Sequence, residues 1–278
     1  MPPPKPPPRP QLTHFLCIPL ATIAGRPQLA DSLATFHADV AATSVAMTSG
    51  GSGGPSSANN RNTTVRRGPL PPTALRPVGT LHLTLGVLSL DGDRLQEAVS
   101  RLQSLSRDDK VVPAAGAAEE KPISMALRGL HAMQPPARAT VLYASPVDEK
   151  TGSLAAAGGP LLELCERVRS VFADLMVPDE RPLLLHATIV NTVYAKERRG
   201  GSGRGGRGGN RGGGGGGGGA KLTFDARELI ERYDDFVWME KVPVQKVALC
   251  RMGAQTTAVD DDGAVADAAY PVEAEVSI

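Results

Sequence analysis

The sequence predicts an α+β fold of two similar lobes, pseudo-symmetric, with antiparallel sheets lining a central cleft and helices outside. Three observations predict it. Two apolar strands carry the same pattern, Leu81-His82-Leu83-Thr84-Leu85 and Leu185-His186-Ala187-Thr188-Ile189. Each follows a strand and an amphipathic helix, so the order strand, helix, His-x-Thr strand, helix is read twice along the chain. Low-complexity tracts interrupt the chain where loops can absorb them at little entropic cost.

The first element is an apolar strand from Leu12 to Leu20, closed by Pro19. A helix follows, in which Leu29, Leu33, Phe36 and Val40 form one stripe. The first His-x-Thr strand spans Thr80 to Leu90. Asp93 is the expected N-cap of the next helix, whose stripe is Leu95, Val99, Leu102 and Leu105. In the second half, a strand from Ala139 to Val147 precedes a helix from Pro160 to Met176, with Leu161, Leu164, Val168, Phe172 and Leu175 on its buried side. The second His-x-Thr strand spans Pro182 to Val193. Asp225 and Glu228 read as a capping box opening a helix through Tyr233 and Phe236. Strands at Ile123 to Met133, Val242 to Met252 and Tyr270 to Ile278 complete the sheets, and Asp261-Asp262-Gly263 is a turn signal before the last.

Three stretches cannot bury enough apolar surface to offset the entropy of ordering them: residues 1–10, rich in proline, 48–72, rich in Ser, Gly, Asn and Pro, and 198–220, almost all glycine and arginine. The reading is therefore a Pro-rich tail at 1–10 and a single domain at 11–278 with insertions at 48–72 and 198–220. Roughly 220 foldable residues suffice for one core. A net charge of +1 excludes a globally basic nucleic-acid binder, so any such contact comes from local patches. Cys17, Cys165 and Cys250 each fall in apolar segments without metal-ligand spacing, which points to buried free thiols in a reducing compartment. No signal pattern or membrane-length apolar run occurs, so the expectation is an intracellular protein, nuclear or cytoplasmic, and a monomer without membrane contact.

On a strand, side chains alternate faces, so His82 and Thr84 share one face while Leu81, Leu83 and Leu85 share the other. The second motif does the same with His186 and Thr188. Two imidazoles, each with a hydroxyl two residues on, are the parts needed to hold a phosphate and run acid and base chemistry on it. Two such motifs at matching places in a repeat carry far more weight than one, whose Thr and His are ordinary half-buried strand residues. Phe15 and Tyr143 lie on cleft-candidate strands and are candidate substrate contacts by stacking on a base, as against core roles. Asn191 is a candidate for orienting a phosphate or capping the strand. His14 and His37 read as solvent-facing or packed at an element edge, and His131 as a strand end. Four RGG triplets, at Arg199, Arg204, Arg207 and Arg211, are candidate RNA contacts, since glycine-spaced arginines meet phosphates and stack on bases. A bland loop expansion explains them equally well.

The paired His-x-Thr strands in a duplicated scaffold resemble the 2H phosphoesterase superfamily, which includes the bacterial LigT-like RNA 2',3'-cyclic phosphodiesterases. Within it the chain is similar to the branch of the A-kinase anchoring protein 7-like phosphoesterase domain and the activating signal cointegrator 1 complex subunit 1. The matching segments are THFLCIPL from Thr13, LHLTLGVLSL from Leu81, LRGLHAM from Leu127, ARATVLYASPV from Ala137, LLLHATIVNT from Leu183 and FDARELIERYDDF from Phe224. The KH domain of the cointegrator subunit is not expected here.

The resemblance implies a phosphodiesterase-type hydrolase acting on RNA ends or oligonucleotides, at a 2',3'-cyclic phosphate or a 2'-5' linkage. His82 and His186 would be the catalytic acid and base in an order the sequence leaves open. Thr84 and Thr188 would bind phosphate, with no metal and no cofactor. Two alternatives stand beside it. One is a non-catalytic nucleotide- or RNA-binding subunit of a transcription-coactivator or repair complex. The other, a kinase-anchoring scaffold, has little support, because the Leu29 and Leu95 stripes are explained by core packing.

Overall fold

The fold is seen in a computed structural model that describes residues 10–49, 64–105, 123–148, 154–155, 158–195 and 222–278. The tail (residues 1–9) and the Gly-Arg insertion lie outside the described residues, and with them Arg199, Arg204, Arg207 and Arg211. No helix among the described residues is long and apolar enough to cross a membrane.

Thirteen strands and four helices are described. In the first half they run β1 (His14–Pro19), α1 (Gly25–Ala42), β2 (Val45–Ser49), β3 (Thr64–Gly68), β4 (His82–Leu88) and α2 (Gly92–Leu105). Next come β5 (Ser124–Ala132), β6 (Val141–Asp148), α3 (Pro160–Val171) and β7 (Ala187–Asn191). The chain ends with β8 (Leu222–Phe224), α4 (Arg227–Arg232), β9 (Val237–Pro243), β10 (Lys246–Arg251), β11 (Gln255–Val259), β12 (Val265–Ala269) and β13 (Val272–Ser277).

The main sheet is antiparallel and eight-stranded, in the order β13-β10-β1-β4-β7-β6-β5-β9. Its midpoint is the β4–β7 junction, where Leu83 pairs with Ala187. Each lobe is thus a four-stranded half of one sheet, and the two His-x-Thr strands lie side by side at the seam. The halves repeat each other in register. Thr84 stands opposite Cys17 on β1, and Thr188 stands opposite Tyr143 on β6. The irregularities also repeat: the register slips between Leu16 and Cys17 in one half and between Leu142 and Tyr143 in the other. A shared bulge at the same step is a local bend that both halves need.

Period-two alternation puts Leu16 and Ile18 of β1, Leu83 and Leu85 of β4, Leu142 and Ala144 of β6, and Ala187 and Ile189 of β7 in one buried core. Helices cover it. The stripe Leu29, Leu33, Phe36 and Val40 is buried, and α1 packs on β9, α2 on β10 and β13, and α3 on β4. The opposite face of β1 and β10 carries a small second cluster of Phe15, Cys17, Ala248 and Cys250 on the side of Thr84. The three cysteines are free and buried.

Several local expectations are corrected. Asp91, not Asp93, caps α2: its Oδ1 accepts from the Arg94 backbone N–H at 3.2 Å, leaving Asp93 inside the first turn. The capping box at Asp225 and Glu228 does not form, because Glu228 pairs with Arg232 one turn on and Asp225 with Arg227. That helix ends at Arg232, and α3 ends at Val171, although Phe172 and Leu175 beyond it are still buried. Residues 45–49 and 64–68 form strands although the second lies inside the 48–72 tract; β2 pairs with both β3 and β8 in a small separate sheet. The Asp261-Asp262-Gly263 turn joins β11 to β12. There Gly263 holds φ 75°, and Asp260 Oδ1 accepts from the backbone N–H groups of Asp262 and Ala264.

Candidate active site

Leu81, Leu83 and Leu85 are buried, which leaves His82 and Thr84 half-buried on the other face of β4. Leu185, Ala187 and Ile189 are buried in the same way beneath His186 and Thr188. Burying the apolar set fixes the strand register, since a one-residue slip would turn the leucines outward. All four motif side chains therefore meet over the seam.

Each imidazole is held by the carbonyl two residues before it. His82 Nδ1 lies 2.7 Å from the Thr80 carbonyl oxygen, and His186 Nδ1 lies 2.8 Å from that of Leu184. A carbonyl only accepts, so Nδ1 carries the proton in both rings and Nε2 is the atom left for chemistry. In the neutral ring Nε2 takes a proton, and in the charged ring it gives one.

The surroundings of the two rings differ. Phe15 lies 4.7 Å from His82 and the Tyr270 ring meets its edge at 5.3 Å, while Phe15 and Tyr270 also pack edge to face. Burial pulls His82 down from 6.5 to about 4, opposed by the Thr80 carbonyl and assisted by the positive fields of Arg76 and His186. His186 meets the edge of Tyr143 at 5.4 Å, and Tyr143 in turn lies 5.5 Å from His131. Burial also lowers His186, against the stabilising bond to the Leu184 carbonyl. A cavity of about 1200 Å³ opens beside His186 and Thr84, lined among others by Gly86, Arg169, Met176 and Arg181.

The structure places Phe15 against His82 and Tyr143 against His186. Asn191 ends β7, and its Oδ1 accepts from the Val193 N–H at 3.0 Å, so that oxygen is spent on the following turn. His14 is not exposed: it is packed at the edge of an element, as the first residue of β1, with its Nδ1 2.8 Å from Thr13 Oγ1. His37 is half-buried beside Phe36. Sequence reasoning missed Arg76, Tyr194 and Tyr270, which gather on the His82 side. Arg76 stands six residues before His82, and a basic residue just upstream of the motif is the one signal that marks it. Among the described residues no group of three or more His, Cys, Asp or Glu is arranged to hold a metal ion.

The chain is similar to several known proteins. A curated relative, the uncharacterized protein C15D4.13c of Schizosaccharomyces pombe, is 25% identical over 177 residues, 62% of this chain and 68% of the relative. Among solved structures, a phosphoesterase is 16% identical with a TM-score of 0.46, covering 97% of this chain and 99% of its own. Escherichia coli LigT complexed with 3'-AMP is 15% identical with a TM-score of 0.45 over the same shares. The family model for the AKAP7 2'5' RNA ligase-like domain matches residues 12–261, a span that includes both His-x-Thr strands and every strand of the seam. The chain belongs to that family.

Proposed function

We propose that this protein is a metal-independent phosphodiesterase acting on RNA ends or oligonucleotides, at a 2',3'-cyclic phosphate or a 2'-5' linkage. The observation that carries this reading is the matched pair of Nδ1 bonds on two adjacent strands, which leaves both Nε2 atoms for chemistry, with a threonine two residues on in each strand. His82, held neutral by its burial, is the base: its Nε2 takes a proton from water or a ribose hydroxyl as that oxygen attacks phosphorus. The phosphorus–oxygen bond on the far side breaks, and His186, entering the cycle protonated, gives its Nε2 proton to the departing oxygen. Thr84 and Thr188 hydroxyls donate to the non-bridging oxygens, where negative charge grows in the transition state. Proton exchange with solvent then resets both rings. The two histidines supply and remove every proton the reaction needs. RNA is preferred over a small metabolite because the glycine-arginine tract follows the catalytic strand in sequence.

The test is hydrolysis, in EDTA, of a panel of nucleoside 2',3'-cyclic phosphates and of 2'-5'- and 3'-5'-linked oligonucleotides, with product analysis. Turnover that falls by about a hundredfold or more in both His82→Ala and His186→Ala supports the reading. Turnover that survives either change, or tight binding without turnover across the panel, overturns it.

A further inference from the structure

The residues around Arg76 place a second charged feature beside the reacting centre. Arg76 is 7% exposed, and among the described residues no carboxylate pairs with it. Its backbone N–H donates to the Ile189 carbonyl at 2.9 Å, and Leu75 bridges to Val190, so this segment is fixed to the β7 half of the sheet. Its side chain reaches the other half. The guanidinium lies 4.1 Å over the Tyr194 ring and donates to the Tyr270 hydroxyl at 3.3 Å. Tyr270, edge to face with His82 and with Phe15 of β1, stands near the Tyr194 phenol. A buried cation without a counter-ion is costly, and aromatic stacking offsets only part of that cost. An anion arriving with the substrate would complete the balance.

Direction along the seam says which anion. In the antiparallel β4–β7 pair, the residues after Thr84 lie beside those before His186, and there the large cavity opens. At the opposite end, the residues before His82 lie beside those after Thr188, and there stand Arg76, Tyr194 and Tyr270. A phosphodiester centred on the seam sends one substituent into the cavity and the other toward Arg76. Tyr194 is 42% exposed and can receive a base on its free surface while the guanidinium takes a phosphate.

We infer that the His82 end of the site is a subsite for a second phosphate group, neighbouring the scissile one, held by Arg76 in the frame of Tyr194 and Tyr270. This rests on the phosphodiesterase reading and narrows its substrate class: the preferred substrate is an oligonucleotide or a phosphorylated dinucleotide, rather than a lone nucleoside cyclic phosphate. Arg76 is there a planar donor to phosphate oxygens, for which lysine is a partial substitute.

The experiment uses 2'-5'- and 3'-5'-linked dinucleotides in matched pairs, with and without a phosphate at each terminus. Binding is measured by calorimetry and turnover by product analysis, for the full chain and for Arg76→Gln and Arg76→Lys. The wild type is expected to bind one phosphorylated member about ten- to hundredfold more tightly than its bare counterpart. Arg76→Gln loses that preference, and Arg76→Lys keeps part of it. The wild-type comparison needs no variant, so it stands even where Arg76→Gln does not fold. Equal affinity of the wild type for both members of every pair overturns the subsite. A fall of equal size for both members in Arg76→Gln overturns it too, since Arg76 would then serve the scissile phosphate or the fold. A phosphate preference without turnover of any substrate upholds the subsite and defeats the phosphodiesterase reading, while turnover without preference does the reverse.

Discussion

Lowering pH tests the environment of His82 directly. Its folded pKa is depressed from 6.5 to about 4, chiefly by burial, while in the unfolded chain the ring returns to about 6.5. Between those values the unfolded chain binds the proton and the folded chain does not, so protonation favours unfolding. The stability contributed by a neutral His82 is therefore complete above about pH 6.5 and is lost as pH falls toward 4. At 1.36 kcal/mol per pH unit the loss is about 3 kcal/mol at most, an upper figure because the ring's outer edge still meets solvent. Against a total stability of about 5–15 kcal/mol that is readily measured. The assay is urea unfolding of the wild type and His82→Gln from pH 7.5 to pH 4, with the His82 ring proton followed by NMR. The lowered histidines away from the seam, His14 and His37, act in both proteins and cancel in the comparison. The wild type should lose stability relative to the variant as pH falls. A His82 that titrates near 6.5, or two stability profiles that run parallel, would refute the reasoning. In the proposed reaction the same asymmetry has a consequence: a base at His82 stays ready down to about pH 4, while an acid at His186, also lowered by burial, loses its proton as pH rises. Activity should accordingly peak on the acid side of neutrality.

Two further outcomes follow from named atoms. Thr84→Val and Thr188→Val each remove one donor to the phosphate and should lower kcat/KM about ten- to hundredfold, with Thr→Ser at the same position restoring most of it; steady-state kinetics on the best substrate of the panel decides this. Gly129→Ala should destabilise the fold by about 1–3 kcal/mol, read as a lower urea midpoint at unchanged slope. Its φ of 66° disfavours a side chain, an added Cβ would sit 2.8 Å from the Asp234 carbonyl oxygen, and its own carbonyl accepts from the buried Trp238 Nε1 at 2.8 Å.

The two His-x-Thr motifs were legible because their information is local. Period two alone sorts His82 and Thr84 from Leu81, Leu83 and Leu85, and the burial of the leucines then fixes the face. The stripe of α1 was legible for the same reason. What stayed hidden depends on residues far apart in sequence. Arg76, Tyr194 and Tyr270 meet only after β4 and β7 pair, and each by itself is an ordinary loop residue. Strands β2 and β3 were hidden differently: they flank or lie within a tract whose composition argues against order, and the second partner of β2, β8, lies more than a hundred residues away. The caps failed by two residues at Asp93 because Asp91 and Asp93 both suit the position, and only the backbone bond to Arg94 separates them.

A duplicated scaffold raises a chemical problem that the motifs do not solve. Identical His-x-Thr strands with identical Nδ1 bonds would yield two imidazoles of equal proton affinity, and such a pair gives no reason for one to be charged while the other is neutral. Acid and base at one pH require environments that push two pKa values apart. Here the difference arises outside the repeat. His82 is enclosed by Phe15 and Tyr270 with the Arg76 cation in its field, whereas His186 borders the cavity and meets only Tyr143 at its edge. Phe15 has no aromatic counterpart at His186. In strand register Phe15, opposite Val87, corresponds to Val141, opposite Asn191, and Tyr143 corresponds to Cys17. In the proposed reaction, duplication supplies two imidazoles bound alike at Nδ1, each with Nε2 left for the phosphate. The unmatched residues around it supply the direction in which the protons move.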